Sequence, residues 1–125
     1  MTHIKRQPIE QNLHDTMIKL LDKTLTAEGK KVKTNEGSTK LNGVKNEGDT
    51  EVYYPDVFVV GIGTKVVEIY EVETEATVNE GSIEQWKKSS EDTAKFFLVI
   101  PKESLKTAKE LVEKHKIPVK EYLVF

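Results

Sequence analysis

The sequence predicts an α/β fold with three layers, α/β/α, in which a central mixed sheet carries helices on both faces. Stretches with helical periodicity at residues 8–28, 82–95 and 103–116 alternate with strand-like runs, as in layered α/β domains. The hairpin over residues 51–74 has strands that are apolar on both sides, and such strands belong in the middle of a layered fold. The remaining strands are expected at residues 30–34, 96–100 and 119–125.

Length and composition predict one globular domain over residues 1–125, with 37% apolar and 32% charged residues. The chain has no apolar run of about 18 residues and no apolar signal core, so a membrane segment is not expected. It has no cysteine, which excludes disulfides and thiolate chemistry, and a cytoplasmic location follows by default. The net charge is −2, and the basic residues are lysines except for Arg6. If DNA is the partner, recognition through backbone or shape is therefore expected.

The first helix is bounded by Pro8, which suits the first helical position, and by Gly29, which suits the C-terminal cap. Glu10 falls within the apolar face of this helix, and His14 follows one turn later. A carboxylate there is either paired or metal-bound, or it is kept in water by a frayed helix start. Helical spacing predicts that this face also contains Ile9, Leu13, Met17, Leu20, Leu21 and Leu25.

The predicted hairpin turns at residues 61–64, and it pairs residues whose numbers add to 127. Asp56 is then directly opposite Glu71, and Glu73 points to the same face as Glu71. Three carboxylates should therefore converge among apolar neighbours. Because opposed like charges destabilise a sheet, this arrangement predicts a bound cation.

The donor set indicates a hard divalent cation, since the chain has no cysteine and these strands carry no histidine. Mg²⁺ is the expected ion, with Mn²⁺ as a substitute, because it combines one or two carboxylates with waters and phosphate oxygens. The Glu71 side chain and the Val72 carbonyl are candidate ligands, and Glu73 is placed to reach an attacking water.

Two lysine groups are candidate contacts for a phosphate backbone. Lys30, Lys31 and Lys33 begin a polar segment over residues 30–52, which is either a flap that touches DNA or a solvated loop. Lys87 and Lys88 lie in the first turns of the helix at 82–95, where the helix dipole does not favour lysine.

The start of that second helix offers two interpretations. Ser82 and Gln85 match a capping box, and Gln85 is alternatively a site residue. Trp86 is expected in the core rather than at a base-stacking surface.

The pattern of Pro55-Asp56, fourteen intervening residues, and then Glu71-Val72-Glu73 resembles the PD-(D/E)xK nuclease superfamily. The order of elements is also similar to its restriction-endonuclease-like core, and Glu10 matches an acid found on the first helix of many members. The resemblance implies Mg²⁺-dependent hydrolysis of DNA with Asp56 and Glu71 as metal ligands. Glu73 stands where the family has lysine, as in some restriction enzymes of the superfamily, and it can be a base or a metal ligand.

The positive charge of the absent motif lysine could instead come from Lys65, Lys87 or Lys88, if the fold brings one of them to the site. Gln85 matches half of the Gln-x-x-x-Tyr motif of RecB-like members, since Ser89 occupies the tyrosine position.

Three functions follow as hypotheses. The first is a metal-dependent DNA endonuclease, acting on structured DNA such as junctions or flaps, as a homodimer that cuts two strands. The second is a nuclease-fold protein that has lost catalysis and serves in DNA binding or scaffolding. The third is an unrelated α/β domain in which Glu71-Val72-Glu73 is the solvent-exposed end of a strand. Glu75 favours this alternative, because it continues the same acidic face.

Overall fold

The structure is a computed structural model that describes residues 8–37, 40–46 and 48–125. The predicted polar segment at 30–52 is therefore described except at residues 38, 39 and 47, and Arg6 lies outside the described residues. Within these residues the structure has three α-helices and five strands, in the order α1 (Pro8–Ala27), β1 (Lys31–Thr34), β2 (Val57–Val60), β3 (Val66–Val72), α2 (Ile83–Ser90), β4 (Lys95–Ile100), α3 (Leu105–His115) and β5 (Glu121–Val124).

The five strands form one mixed sheet in the order β1-β2-β3-β4-β5. The first three strands are antiparallel, whereas β4 runs parallel to β3 and β5 runs parallel to β4. The α/β class and the mixed sheet are thus confirmed. The first hairpin strand is shorter than the predicted 51–60, because residues 51–56 contribute only an isolated bridge between Tyr53 and Val44. Pro55, which cannot donate to a ladder, lies in this irregular part.

The register of the central hairpin is the one predicted from the sequence. Val57 pairs with Tyr70 and Phe58 pairs with Ile69, so these partners add to 127. The register shifts after Val59, before a turn in which Gly63 has a φ of 68°. Alternation along β3 alone would place Val66 and Ile69 on opposite faces, but Val66 packs against the same core cluster as Ile69.

Alternation along the strands divides the core into two clusters. Ile18 and Leu25 of α1 pack with a set on one face of the sheet that includes Val57, Tyr70 and Val72. The other face carries α2 and α3, with a set that includes Phe58, Ile69, Ile83, Trp86, Leu98, Ala108 and Val112. The site described below lies where β2 begins and β3 ends, between α1 and α2.

Helix α1 begins at Pro8 as predicted and ends two residues before Gly29, which has a φ of 85°. The predicted buried face is wrong in part, since Ile9 is 78% exposed and Leu20 is 53% exposed. The helix instead buries His14, Ile18 and Leu25. The apolar face of α1 is wider than the part of the sheet that it covers. The side of the helix that carries His14 faces the sheet, so part of the apolar face remains exposed.

Helix α2 is shorter than predicted and ends at Ser90, because β4 already begins at Lys95. The predicted capping box is wrong: Ser82 makes no side-chain cap hydrogen bond, and its hydroxyl donates to the Thr77 carbonyl. Trp86 is fully buried, as expected for a core residue. In the described part of the chain, none of the helices combines the length and the apolar character that a membrane crossing requires.

Candidate active site at the ends of β2 and β3

Asp56 directly precedes β2, and the neighbouring chain holds its carboxylate in place. Its Oδ2 atom accepts a hydrogen bond of 2.8 Å from the Val72 N–H on β3. Its Oδ1 atom lies 3.1 Å from Nε2 of His14 on α1. Burial raises the pKa of the Asp56 carboxyl, but His14 and the Val72 N–H outweigh burial and leave this pKa below its ordinary value. Asp56 is therefore a buried carboxylate in its charged form.

Glu71 lies beside Asp56 and is 1% exposed. Burial and the negative charge of Asp56 raise the pKa of Glu71 well above its ordinary value, although the Ser89 hydroxyl donates to Oε1 at 2.6 Å. The two carboxyl groups also interact with each other, and this contact raises the pKa of Glu71 and lowers the pKa of Asp56. The meeting of Asp56 and Glu71 predicted from the hairpin register is confirmed.

Glu73 is buried, but its carboxylate is directed towards α2. Its Oε2 atom accepts a 3.0 Å hydrogen bond from the indole N–H of Trp86, the only tryptophan in the chain. The charge of Glu73 still acts on Glu71, where it contributes to the raised pKa. Glu73 is thus a neighbour of the carboxyl pair, anchored by Trp86.

Helix α1 brings two further groups towards this end of the sheet. Its His14 side chain is 1% exposed, and Nδ1 lies 3.3 Å from Asp15 Oδ1 while Nε2 faces Asp56. Glu10 lies one turn earlier, and its Oε2 atom is buried without a hydrogen-bond partner among the described residues. Glu10 belongs to a formed helix, so the alternative of a frayed helix start is wrong.

The donor chemistry of this end of the sheet fits a hard divalent cation. The described ranges contain no group of three or more His, Cys, Asp or Glu residues that could hold a metal ion by themselves. Mg²⁺, however, usually takes one or two carboxylates and completes its shell with waters and phosphate oxygens. Asp56 and Glu71 supply such a pair, and their mutual repulsion, which contributes to the raised pKa of Glu71, would be relieved by a cation between them. The buried, unpartnered oxygen of Glu10, one helical turn before His14, is a further hard donor on α1.

The remaining predicted residues occupy different surroundings. Gln85 directs its amide N–H groups at both Glu71 oxygens, at 3.3 and 3.4 Å, so it contacts the site and does not cap the helix. Lys30 is paired with Glu68, and Lys88 is paired with Asp49. The other candidate lysines, Lys31, Lys33, Lys65 and Lys87, are exposed.

His14 and Ser89 touch the carboxyl pair, and sequence reasoning did not place them there. His14 carried a signal, because it lies four residues after Glu10 and therefore on the same helical face. Ser89 occupies the fourth position after Gln85, where RecB-like members have tyrosine, and its hydroxyl reaches the Glu71 carboxyl.

Searches against protein-family models, curated proteins and solved structures find no match to this chain.

Replacing Trp86 by phenylalanine is expected to cost about 1–3 kcal/mol of unfolding free energy, because the buried Glu73 oxygen loses the indole donor. Urea denaturation of Trp86→Phe, Glu73→Leu and the double variant measures this coupling. The two losses should not add, since either change alone removes the hydrogen bond. Additive losses would mean that Trp86 acts on Glu73 only through packing.

Proposed function

We propose that this protein is a metal-dependent DNA endonuclease of the PD-(D/E)xK type, with the three-layer α/β/α arrangement of restriction-endonuclease-like proteins. The observation that carries the proposal is the contact between the buried carboxyl groups of Asp56 and Glu71 at the ends of adjacent strands. A pair of this kind destabilises a metal-free protein, so a structural role for it is hard to justify. The element order and the half-buried Glu10 support the same assignment.

In this proposal, Asp56 and Glu71 bind Mg²⁺ or Mn²⁺ together with the Val72 carbonyl. When bound, the cation activates a water and neutralises charge on a phosphodiester. The Val72 N–H and His14 orient Asp56, and the Ser89 hydroxyl and Gln85 amide orient Glu71. Such supporting hydrogen bonds fix the direction from which a carboxylate meets its ion.

Glu73 replaces the lysine of the family, and its carboxylate can accept a proton from the attacking water. It cannot supply positive charge to the phosphate, which leaves this task to the cation. The Trp86 indole fixes one Glu73 oxygen and so limits the directions in which the other can point. Glu10 completes the acidic side of the site from α1.

The second candidate function is DNA binding or scaffolding without catalysis. The observation in its favour is that Glu73, which stands at the family's usual lysine position, is 4% exposed and engaged by Trp86. A protein of this class would keep the carboxyl pair and bind DNA through lysines, but it would not hydrolyse it.

Incubation of supercoiled, linear, single-stranded and four-way-junction DNA with the protein and Mg²⁺ or Mn²⁺ tests the proposal. We expect metal-dependent cleavage that falls at least about a hundredfold in Asp56→Asn, because a lost ligand removes several kcal/mol of charge stabilisation. Glu75→Gln is the matched control, since Glu75 is exposed and lies beyond β3. A homodimer should linearise the supercoiled substrate, whereas a monomer with one site should only nick it.

Thermal melting with and without metal separates the two candidates from an unrelated domain. Mg²⁺ at about a hundred times its Kd should add about 2.7 kcal/mol of stability to the wild type and none to Asp56→Asn. Metal-induced stabilisation with DNA binding but without cleavage would favour the scaffolding function. If neither cleavage nor DNA binding is found, and metal does not change the melting temperature, both candidates are wrong.

A further inference from the structure

A groove runs along the face of the sheet that carries Glu71. It lies between the central hairpin and the polar segment that follows β1, which is called the flap below and includes the described residues 35–37 and 40–46. It consists of two adjoining cavities of about 450 and 360 Å³, which share Gly43, Thr64 and Val66 as lining residues. Each volume falls within the range of sites that bind small organic ligands. Lysines from three elements line it: Lys31 and Lys33 on β1, Lys45 on the flap, and Lys65 in the hairpin turn.

The strand register connects this groove to the carboxyl pair. Lys33 pairs with Phe58, and Lys31 pairs with Val60. The Asn35 N–H donates to the Asp56 carbonyl, so the ladder between β1 and β2 continues to Asp56, two residues beyond the pair of Lys33 and Phe58. Lys33 is therefore displaced from Asp56 by about 7 Å along the strand direction and one strand sideways. The groove lysines continue along β1 from Lys33 to Lys31 and end with Lys65 in the hairpin turn.

The charges in the groove are available to a ligand. Lys31, Lys33, Lys45 and Lys65 are exposed, and none forms an ion pair with another described residue. Lys30, Lys88 and Lys114, by contrast, are each paired with a carboxylate. Among the described lining residues the acidic one is Asp92, which has interactions of its own at the far end. The groove is thus a track of unpaired positive charge, and its Lys33 end lies two residues along the strand ladder from Asp56.

Between the lysines the groove is apolar. Val60 and Val66 line it with Phe58, and Leu41 at its rim is 80% exposed. A duplex hides the faces of its bases, and cavities of this size do not admit a double helix. An unpaired strand offers both parts that the groove can bind: phosphates for the lysines and base faces for the apolar floor.

We propose that this groove binds a single-stranded segment of DNA that adjoins the phosphodiester cleaved at Asp56 and Glu71. The inference rests on the proposed nuclease function and narrows its substrate class to DNA in which a duplex continues into an unpaired strand, such as a flap or a tailed end.

Fluorescence anisotropy in EDTA tests the groove without requiring cleavage. The probes are a labelled oligothymidine and a blunt duplex, titrated at several salt concentrations. For the triple variant Lys31→Glu, Lys33→Glu and Lys65→Glu, we expect at least a tenfold loss of oligothymidine affinity. The slope of log K against log salt should become shallower by about 2, since each lost contact with a single strand contributes about 0.7. Blunt-duplex binding should change much less.

The matched control is Lys102→Glu, Lys106→Glu and Lys120→Glu, which makes the same change in net charge with exposed lysines outside the groove. Lys33→Gln with Lys65→Gln is a milder variant that should lose affinity in the same direction if the triple variant fails to fold. Equal losses in groove and control variants, unchanged oligothymidine binding, or an equal loss for the duplex would each overturn the proposal.

Cleavage of tailed and blunt duplexes distinguishes this failure from failure of the nuclease function. Groove-dependent binding without any cleavage would remove the nuclease function and leave the groove as a single-strand site. Cleavage of tailed DNA that is unaffected by the groove variants would remove the groove and leave the nuclease.

Discussion

Replacing Glu71 by glutamine is expected to raise the melting temperature of the metal-free protein and to abolish the proposed metal-dependent cleavage of DNA. In the metal-free protein, burial and the charge of Asp56 raise the pKa of Glu71 well above its ordinary value, so an ionised Glu71 beside Asp56 lowers the stability of the fold. A glutamine amide keeps the shape, accepts the Ser89 hydrogen bond through its oxygen and donates to Asp56 through its nitrogen. It removes the repulsion between two carboxylates and also removes the metal ligand.

The stabilisation should depend on pH in a defined direction. The pKa of Glu71 in the folded protein is above its ordinary value of 4.5, so the folded state binds more protons than the unfolded state between these two pKa values. The stability that comes from this proton is complete below the unfolded pKa and is lost as the pH rises through the folded pKa. The melting temperature of Glu71→Gln should therefore exceed that of the wild type by a margin that grows as the pH rises through this range.

Melting curves of both proteins in EDTA, from acidic to alkaline pH, measure this margin, and a plasmid-cleavage assay with Mg²⁺ measures the loss of activity. Glu68→Gln is a suitable control, because Glu68 lies on the same strand and is paired with Lys30 and Tyr70. That variant should lose stability and keep cleavage. If Glu71→Gln lowers the melting temperature as Glu68→Gln does, the carboxyl pair is a structural feature and the proposed site is wrong.

The register of this site could be predicted because it depends on local rules. A tight turn with glycines fixes the pairing of two strands, and a period of two then fixes which side chains share a face. Asp56 and Glu71 therefore meet as the sequence indicates, even though the register shifts by one residue nearer the turn. The irregularity lies beyond Val59, so it does not affect the residues at the other end of the hairpin.

The partners from the helices could not be predicted in the same way. Which flank of α1 faces the sheet depends on packing between elements, and the apolar stripe of that helix allows more than one rotation. In the structure, α1 is rotated so that His14 is buried next to Asp56 and Ile9 is exposed. The role of Gln85 was likewise undecided, because the same side chain can cap its own helix or reach a neighbouring strand.

The flap gave the weakest sequence signal, yet it contains a residue on which the site depends. Asn35 belongs to the polar segment predicted at residues 30–52, but its side chain is 1% exposed and fills its hydrogen-bonding capacity. Its Nδ2 atom donates to the carbonyls of Asn42 and Pro55, both at 2.7 Å. Its Oδ1 atom accepts from the N–H groups of Leu41 and Asn42. One side chain thus joins the flap to the backbone that precedes β2.

Replacing Asn35 by alanine is expected to lower the unfolding free energy by about 3 kcal/mol, since four hydrogen bonds are lost and buried backbone groups are left without partners. Urea denaturation measures this loss. Asn42→Ala is the matched control, because Asn42 lies in the same flap and its side chain donates one bond, to the Thr34 carbonyl. That variant should lose about 1 kcal/mol. Equal losses would show that the buried amide is not what holds the flap.

The same substitution should weaken the proposed metal site through its backbone. The Asn35 N–H donates to the Asp56 carbonyl at 2.9 Å, and its side chain donates to the Pro55 carbonyl. Asn35 therefore holds the backbone on both sides of the Asp56 Cα atom. When the Asn35 side chain is removed, the backbone at Asp56 gains conformational freedom. Binding of Mg²⁺ must then order Asp56 again, and this entropy cost weakens the affinity for the ion. We expect the Mg²⁺ concentration for half-maximal stabilisation to rise about tenfold in Asn35→Ala and to stay unchanged in Asn42→Ala. A rise in both variants would assign the effect to the flap as a whole, because Asn42 does not contact the Pro55–Asp56 peptide through its side chain.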